Sequence, residues 1–325
     1  MTRAPALIGT LGLAAAASLV IALGVGSADV PPARVLETLA GGGSALDQAL
    51  ILELRLPRAL TAFAVGGLLA LAGALIQVLL RNPLGDPYVL GVSGGAATGA
   101  LLAMLAGAAT LGVSGAALVG ALASTLGVFA LARAPGLAWT PTRLLLTGVV
   151  AAAGWSALIS FILSLSPAAR LPGMLFWLMG DLGSARTPAP PLALLATGLG
   201  VGIAAAPRLN VLARGDLRAA ALGVRVERLR TGIYFAAAAL TAGAVVQAGS
   251  VGFVGLVSPH LVRLMGGRDH RLLLPGAVLL GGALLTLADT LARTLLAPRQ
   301  LPVGVLTALL GVPVFLYLLN RSRAW

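Results

Sequence analysis

Long apolar stretches with almost no charge run the length of this chain, and they decide what it can fold into. Eight are long enough to matter: Leu7–Gly26, Leu60–Leu80, Leu111–Ala132, Leu144–Leu165, Leu192–Ala206, Thr231–Gly249, Leu272–Ala292 and Val303–Leu319. An α-helix rises about 1.5 Å per residue, so roughly 20 apolar residues cross a hydrocarbon layer of about 30 Å. A water-soluble chain needs about a quarter of its residues charged to cover its surface. Here 10% are charged, 58% are hydrophobic and the mean hydropathy is +1.00. The solvent for these helices is lipid. Two shorter glycine-rich segments, Val89–Ala106 and Val251–Met265, read as broken or tilted helices and bring the expected spans to ten.

Arginine placement orients them. With the N-terminus inside, 15 of the 22 arginines fall on one side: Arg3, Arg81, Arg133, Arg143, six from Arg208 to Arg230, Arg263, Arg268, Arg271, Arg321 and Arg323. Seven fall opposite: Arg34, Arg55, Arg58, Arg170, Arg186, Arg293 and Arg299. Cytoplasmic loops keep arginine because anionic headgroups and the insertion machinery retain positive charge there. Shifting the frame by one helix removes the bias, so both termini are expected in the cytoplasm. The apolar run after Arg3 exceeds the about 7–15 residues of a signal-peptide core, and an uncleaved first helix is expected. The net charge of +12 is then an orientation signal and implies no nucleic-acid partner.

Missing residue types exclude chemistry. The chain contains no lysine, and a P-loop needs one to reach the β- and γ-phosphates. Any ATP and Mg2+ that drive it belong to a separate subunit, and no bound cofactor is expected here. The absence of cysteine removes disulfides and thiolate metal sites. His260 and His270 are too few for a histidine metal site, and His260 beside Pro259 reads as a packed, hydrogen-bonded core residue. No H-E-x-x-H, G-x-S-x-G or paired acids occur, so no catalytic residues are expected.

Arg58–Gln77 aligns without gaps to Arg228–Gln247, and both end in A-G-A, two aliphatics and Gln. In the ten-span frame they run in opposite directions, as in inverted-repeat transporters whose path lies at the repeat interface. The halves are taken as roughly 54–166 and 227–320 of a single transmembrane domain, 1–325. Gln77 and Gln247 lie at membrane depth, either lining a path or bonding a neighbouring helix.

Further spaced words carry a resemblance. They are Leu56-Pro57-Arg58, Gly73, Gln77 and Arg81-Asn82-Pro83-Leu84, then Leu90-Gly91-Val92-Ser93-Gly94-Gly95-Ala96. Ala221-Leu222-Gly223-Val224, Gly252 to Arg263, His270 to Pro275, Ala288-Asp289, Leu301 to Gly304, Gly311 and Pro313 follow in order. Together they resemble the permease subunits of ATP-binding cassette importers for iron–siderophores, vitamin B12 and haem. Two words depart: Gln300 stands where the family has Glu, and Asp181 where it has Ser.

The resemblance implies an all-α type II importer permease in the inner membrane. It implies a homodimer, two ATP-binding cassette ATPase subunits and a periplasmic or lipid-anchored substrate-binding protein. Ala220, Ala221, Leu222, Gly223, Val224 and Arg225 match the coupling loop that docks the ATPase. Arg55, Arg58 and Arg293 match arginines that face acids of the binding protein, and the frame expects them exposed at the outer mouth. Asn82, Leu84 and Thr142 match the cytoplasmic gate; as residues alone they also read as loop caps beside Pro83 and Pro141. Iron(III)–siderophore is the expected cargo, with cobalamin or haem as alternatives. An ion-coupled secondary transporter is the remaining reading, and it needs an intramembrane ionisable group. Only Asp289 offers one, with Arg293 one turn away to neutralise it.

Overall fold

In a computed structural model of the chain, which describes residues 3–26, 30–133, 139–183, 185 and 187–321, all ten expected spans are helices. Arg186 and Arg323, used above for sidedness, lie outside the described residues. The long helices are α1 (Arg3–Gly24), α4 (Leu56–Leu80), α6 (Thr110–Ala132), α7 (Pro141–Leu165), α9 (Ala189–Leu212), α11 (Val226–Ala248), α13 (His270–Thr294) and α14 (Val303–Arg321). Shorter ones are α2 (Pro32–Leu39), α3 (Ala45–Gln48), α5 (Val92–Leu105), α8 (Leu171–Met179), α10 (Asp216–Ala221) and α12 (Val254–Leu264). A π-helical stretch, Ala49–Arg55, runs into α4. No strand occurs among the described residues.

Local chemistry sets the ends. Pro141 sits at the first position of α7, where a missing N–H costs nothing. Thr140 and Asp269 cap α7 and α13 by accepting from the Arg143 and Arg271 N–H groups at 3.2 and 2.9 Å. The two weak segments come out shorter than expected. At 14 and 11 residues, α5 and α12 are about 21 and 17 Å long, too short to cross alone. Gly91 (φ 73°) stops regular helix before α5; Gly249 (φ 65°) and Phe253 (φ 69°) do so before α12.

The centre of the bundle is α4, with nearly every side chain from Ala59 to Leu79 buried. In lipid, packing rather than the hydrophobic effect draws helices together, and small residues permit close approach. Gly66 crosses Gly281 of α13, and a Cβ on Gly73 would fall within the Gly255 carbonyl of α12. The repeated helices α4 and α11 run antiparallel: Leu68 lies beside Gly243, while Leu71 and Leu240 flank Gly198. Packing partners correspond across the halves. As α4 packs on α12 and α13, so α11 packs on α5 and α6; the pair α5–α6 answers α12–α13, and α6–α7 answers α13–α14.

Polar contacts fall in two layers, at opposite ends of the helices. At one end Asp216 pairs with Arg230, Arg133 with Glu227, and the Asn210 amide donates to Asp269 at 2.8 Å. This gathers the C-terminal ends of α6 and α9 with the starts of α10, α11 and α13. At the other end Arg58 meets Asp289, and Arg170 donates to the carbonyls of Met104 and Leu105. Between the layers the outward residues are bare hydrocarbon, such as Val150 and Phe161 of α7 and Val201 of α9. The alternating directions of the ten-span frame are therefore present in three dimensions.

Candidate functional site

At the arginine-rich end, α10 and its following turn project from the bundle. Ala219 is buried against α9 and its neighbours, whereas Ala220, Ala221, Leu222, Gly223 and Arg225 are exposed and Val224 is half-buried. Gly223 (φ 78°) makes the turn, in a conformation that side chains with a Cβ resist. The element is pinned at its root. Both oxygens of Asp216 accept from Arg230 Nη2, at 2.8 and 2.7 Å, and Arg81 lies 3.8 Å away. Leu217 and Leu222 stand 88% and 70% exposed on this rigid element. Two bare leucines on a polar loop make an adhesive surface for another protein. Leu217 escaped the sequence reading, because a lone leucine beside charges carries no periodic signal.

At the opposite end the three candidate docking arginines converge on one cleft of about 420 Å3, which Glu53 and Gln300 also line. They are not exposed as expected. Arg55 is 4% exposed and donates to the Leu23 and Gly24 carbonyls at 2.7 and 2.9 Å. Arg58 grips Asp289 through Nε and Nη2, at 2.9 and 2.7 Å, and Arg293 Nε adds a contact at 3.3 Å. The reason is the membrane: a guanidinium at the mouth of a bundle lowers its energy by bonding carbonyls and carboxylates. Asp289 is thus held by two cations, not by Arg293 alone. Among the lining residues three guanidiniums face one carboxylate, Glu53, with Asp289 buried behind them, so the lining itself is net positive.

The two departures from the family words turn out to be neighbours. Gln300 Nε2 donates to Asp181 Oδ1 at 2.9 Å, and its Oε1 accepts from Arg58 Nη1 at 3.3 Å. The carboxylate missing at 300 reappears at 181, one hydrogen bond further from Arg58. The charge of this corner is kept while its position moves.

Midway between the layers, the segments before α5 and α12 are clasped to each other. The Tyr88 hydroxyl donates to the Val251 carbonyl at 3.0 Å and accepts from the Val251 N–H at 2.9 Å. Ser93 and Ser250 hydroxyls lie 2.5 Å apart. Gln77 is buried, donates to the Leu256 carbonyl at 3.4 Å and accepts from Arg263; of the two sequence alternatives, it bonds a neighbouring helix. Gln247 is half-buried, with no such bond among the described residues. Asn82 and Leu84 share one exposed turn, where the Asn82 Oδ1 accepts from the Leu84 N–H at 2.9 Å; Thr142 is exposed in the first turn of α7. His260 is buried, with Phe315 6.3 Å from its ring. Outside the spans, the Arg271 N–H and the Asn210 amide hold the Asp269 carboxyl below its ordinary pKa, so the α9–α13 contact stays charged further into acid than a free carboxyl would.

Comparison with known proteins gives the family. The FecCD transport family matches residues 14–321. A vitamin B12 import system permease of Klebsiella pneumoniae is 38% identical, covering 94% of this chain and 91% of its own. A hemin transport system permease of Yersinia pestis is 40% identical over 84% and 83%. A solved metal-chelate type ABC transporter in an inward-facing conformation superposes with TM-score 0.87 at 32% identity, covering 98% of this chain and 99% of that one. With an inverted pair of helix sets, a projecting loop at one end and a basic cleft at the other, this chain belongs to the FecCD transport family, as a multi-pass permease subunit of an ATP-binding cassette importer.

Proposed function

We propose that a homodimer of this chain forms the path by which a bulky metal chelate, an iron(III)–siderophore complex, crosses the inner membrane by alternating access. The observation that carries this reading is the pairing of a projecting, adhesive loop at one end with a net-positive cleft at the other. Two ATPase subunits bind ATP and Mg2+ and press on the loop of Ala220 to Arg225. A periplasmic or lipid-anchored binding protein seats acidic side chains in the cleft of Arg55, Arg58 and Arg293. Both termini lie in the cytoplasm, as the arginine excess favours. Asn82, Leu84 and Thr142 close the inner end of the path, and Gln247, with its amide unspent, faces it. The dimer covers part of α7, of whose most apolar stretch only 11% is buried, against 89% for the stretch that includes α4. Energy enters as the differential affinity of nucleotide for two states of the assembly.

The test is uptake into proteoliposomes holding permease and ATPase, given binding protein loaded in turn with ferric siderophore, cobalamin or hemin. ATP-dependent accumulation of the ferric siderophore is expected. Uptake that persists without the ATPase and follows a proton gradient would sink the reading; the bidentate neutralisation of Asp289 already argues against that. The names of the relatives favour a second cargo, cobalamin or haem, and the same three-ligand comparison separates them.

Cleft charge makes a further prediction. Glu53 is exposed on the rim and opposes the arginines. Glu53→Gln should speed association of the binding protein about two- to tenfold at low salt, with the gain vanishing near 1 M salt. Stopped-flow association with nanodisc-held complex measures it; an unchanged or slower rate rejects acidic docking in this cleft.

A further inference from the structure

A groove of about 820 Å3 runs between α9 and α11, well within the roughly 300–1,000 Å3 of ordinary ligand sites. Its shaft is apolar, with Leu194, Val201 and Ile233 on the walls. The floor is open at Gly232, where a Cβ would meet nothing within 4 Å. At the end nearest the coupling loop, the groove is rimmed by Arg208, Arg225 and Arg228. All three are exposed, and none has an ion pair or hydrogen bond to an acid among the described residues. Their neighbours do: Arg230 is held by Asp216 and Arg133 by Glu227. The acids of this end are therefore spoken for, and the groove keeps three cations.

An apolar shaft at membrane depth with a cationic rim at the headgroup level has the polarity of a phospholipid. A water-soluble anion would gain nothing from the shaft, and a neutral lipid nothing from the rim. Basic pockets between spanning helices take anionic headgroups in this way. We propose that the α9–α11 groove binds one anionic phospholipid per chain, its acyl chain along Val201 and Ile233 and its phosphate between Arg208 and Arg228. Leu222, Gly223 and Val224 of the coupling turn line the same groove. The bound lipid therefore touches the element through which the ATPase acts.

Native mass spectrometry and lipid extraction of the assembled permease–ATPase complex test this, after exchange into mixed micelles of dioleoylphosphatidylglycerol and dioleoylphosphatidylcholine. One phosphatidylglycerol should stay with each permease chain, preferred about tenfold over phosphatidylcholine. Arg208→Gln with Arg228→Gln should bring that preference close to one. Gly232→Leu, at a position where a Cβ meets nothing within 4 Å, should fill the groove and expel both lipids; Ala239→Phe serves as a second filling variant should the first fail to assemble. Millimolar inorganic phosphate should displace nothing. The proposal is overturned if the wild-type complex retains no lipid, which is the outcome if the ATPase or a second permease copy covers the groove. It is equally overturned if the preference survives the double variant, if both filling variants keep their lipid, or if phosphate displaces it.

Discussion

Asp289→Ala should be the most damaging single substitution in this chain, costing on the order of 3–5 kcal/mol. Asp289 is 1% exposed and holds two guanidiniums, Arg58 by two short bonds and Arg293 at 3.3 Å. Removing the carboxylate leaves two cations facing each other at the mouth of a low-dielectric bundle. Among the described residues no other carboxylate touches either guanidinium: Gln300, which accepts from Arg58, is neutral, and Asp181 lies one hydrogen bond further away. The expected result is a chain that inserts but loses its monodisperse elution on mild heating. Arg58→Gln with Asp289→Asn removes the main charge pair together and should recover much of the loss, because breaking a buried pair costs more than deleting it. A single Asp289→Ala as heat-resistant as wild type would show that the pair contributes little. The same variant bears on function. If Asp289 were a carried-proton site, Asp289→Asn would abolish coupling to a gradient without needing Arg58.

Leu217→Asp with Leu222→Asp should abolish transport while the permease still folds. Neither leucine is buried in the chain, so the fold loses almost nothing, and α10 stays pinned by Asp216–Arg230. An anchoring side chain at a protein interface is worth on the order of 2 kcal/mol or more. Two carboxylates in a cavity built for leucine would reverse that contribution. Co-purification of the ATPase should therefore fall at least tenfold, and ATP-driven uptake with it. Should the leucines merely dip into the headgroup layer, ATPase retention would be unchanged and the assignment of the coupling surface would fail. Ala220→Arg offers a milder probe, since a small exposed residue there permits close approach.

Much of the fold was legible because lipid is a demanding solvent. A helix that must present hydrocarbon for about 30 Å leaves a long uninterrupted run in the sequence, and all eight such runs are helices. The short pieces were less legible. Val251–Met265 looks like a span by composition, yet only 11 residues of it are regular helix, because Gly249 and Phe253 break the backbone where no hydropathy average registers it. The inverted repeat was legible as letters, while its packing correspondence exists only in space.

The sites divide in the same manner. Residue order alone determined that ATP must be handled elsewhere, since no lysine can reach a phosphate, and the family resemblance singled out Ala220 to Arg225 between two spans. Charge placement in sequence also put Arg58 and Arg170 opposite Arg133 and Arg230, which is how the described helices set them. Tertiary structure alone decided what those arginines do. Arg58 finds Asp289 across 231 residues, and Tyr88 finds Val251 across 163, distances over which no local pattern can carry a signal. It turned three expected surface cations into the walls of one cleft, and made Gln300 and Asp181 a single hydrogen-bonded pair. Hydrophobicity is additive along a chain and so can be read from it. Polar pairing inside a membrane depends on which helices meet, and that is settled only when glycines such as Gly66 and Gly73 let them close.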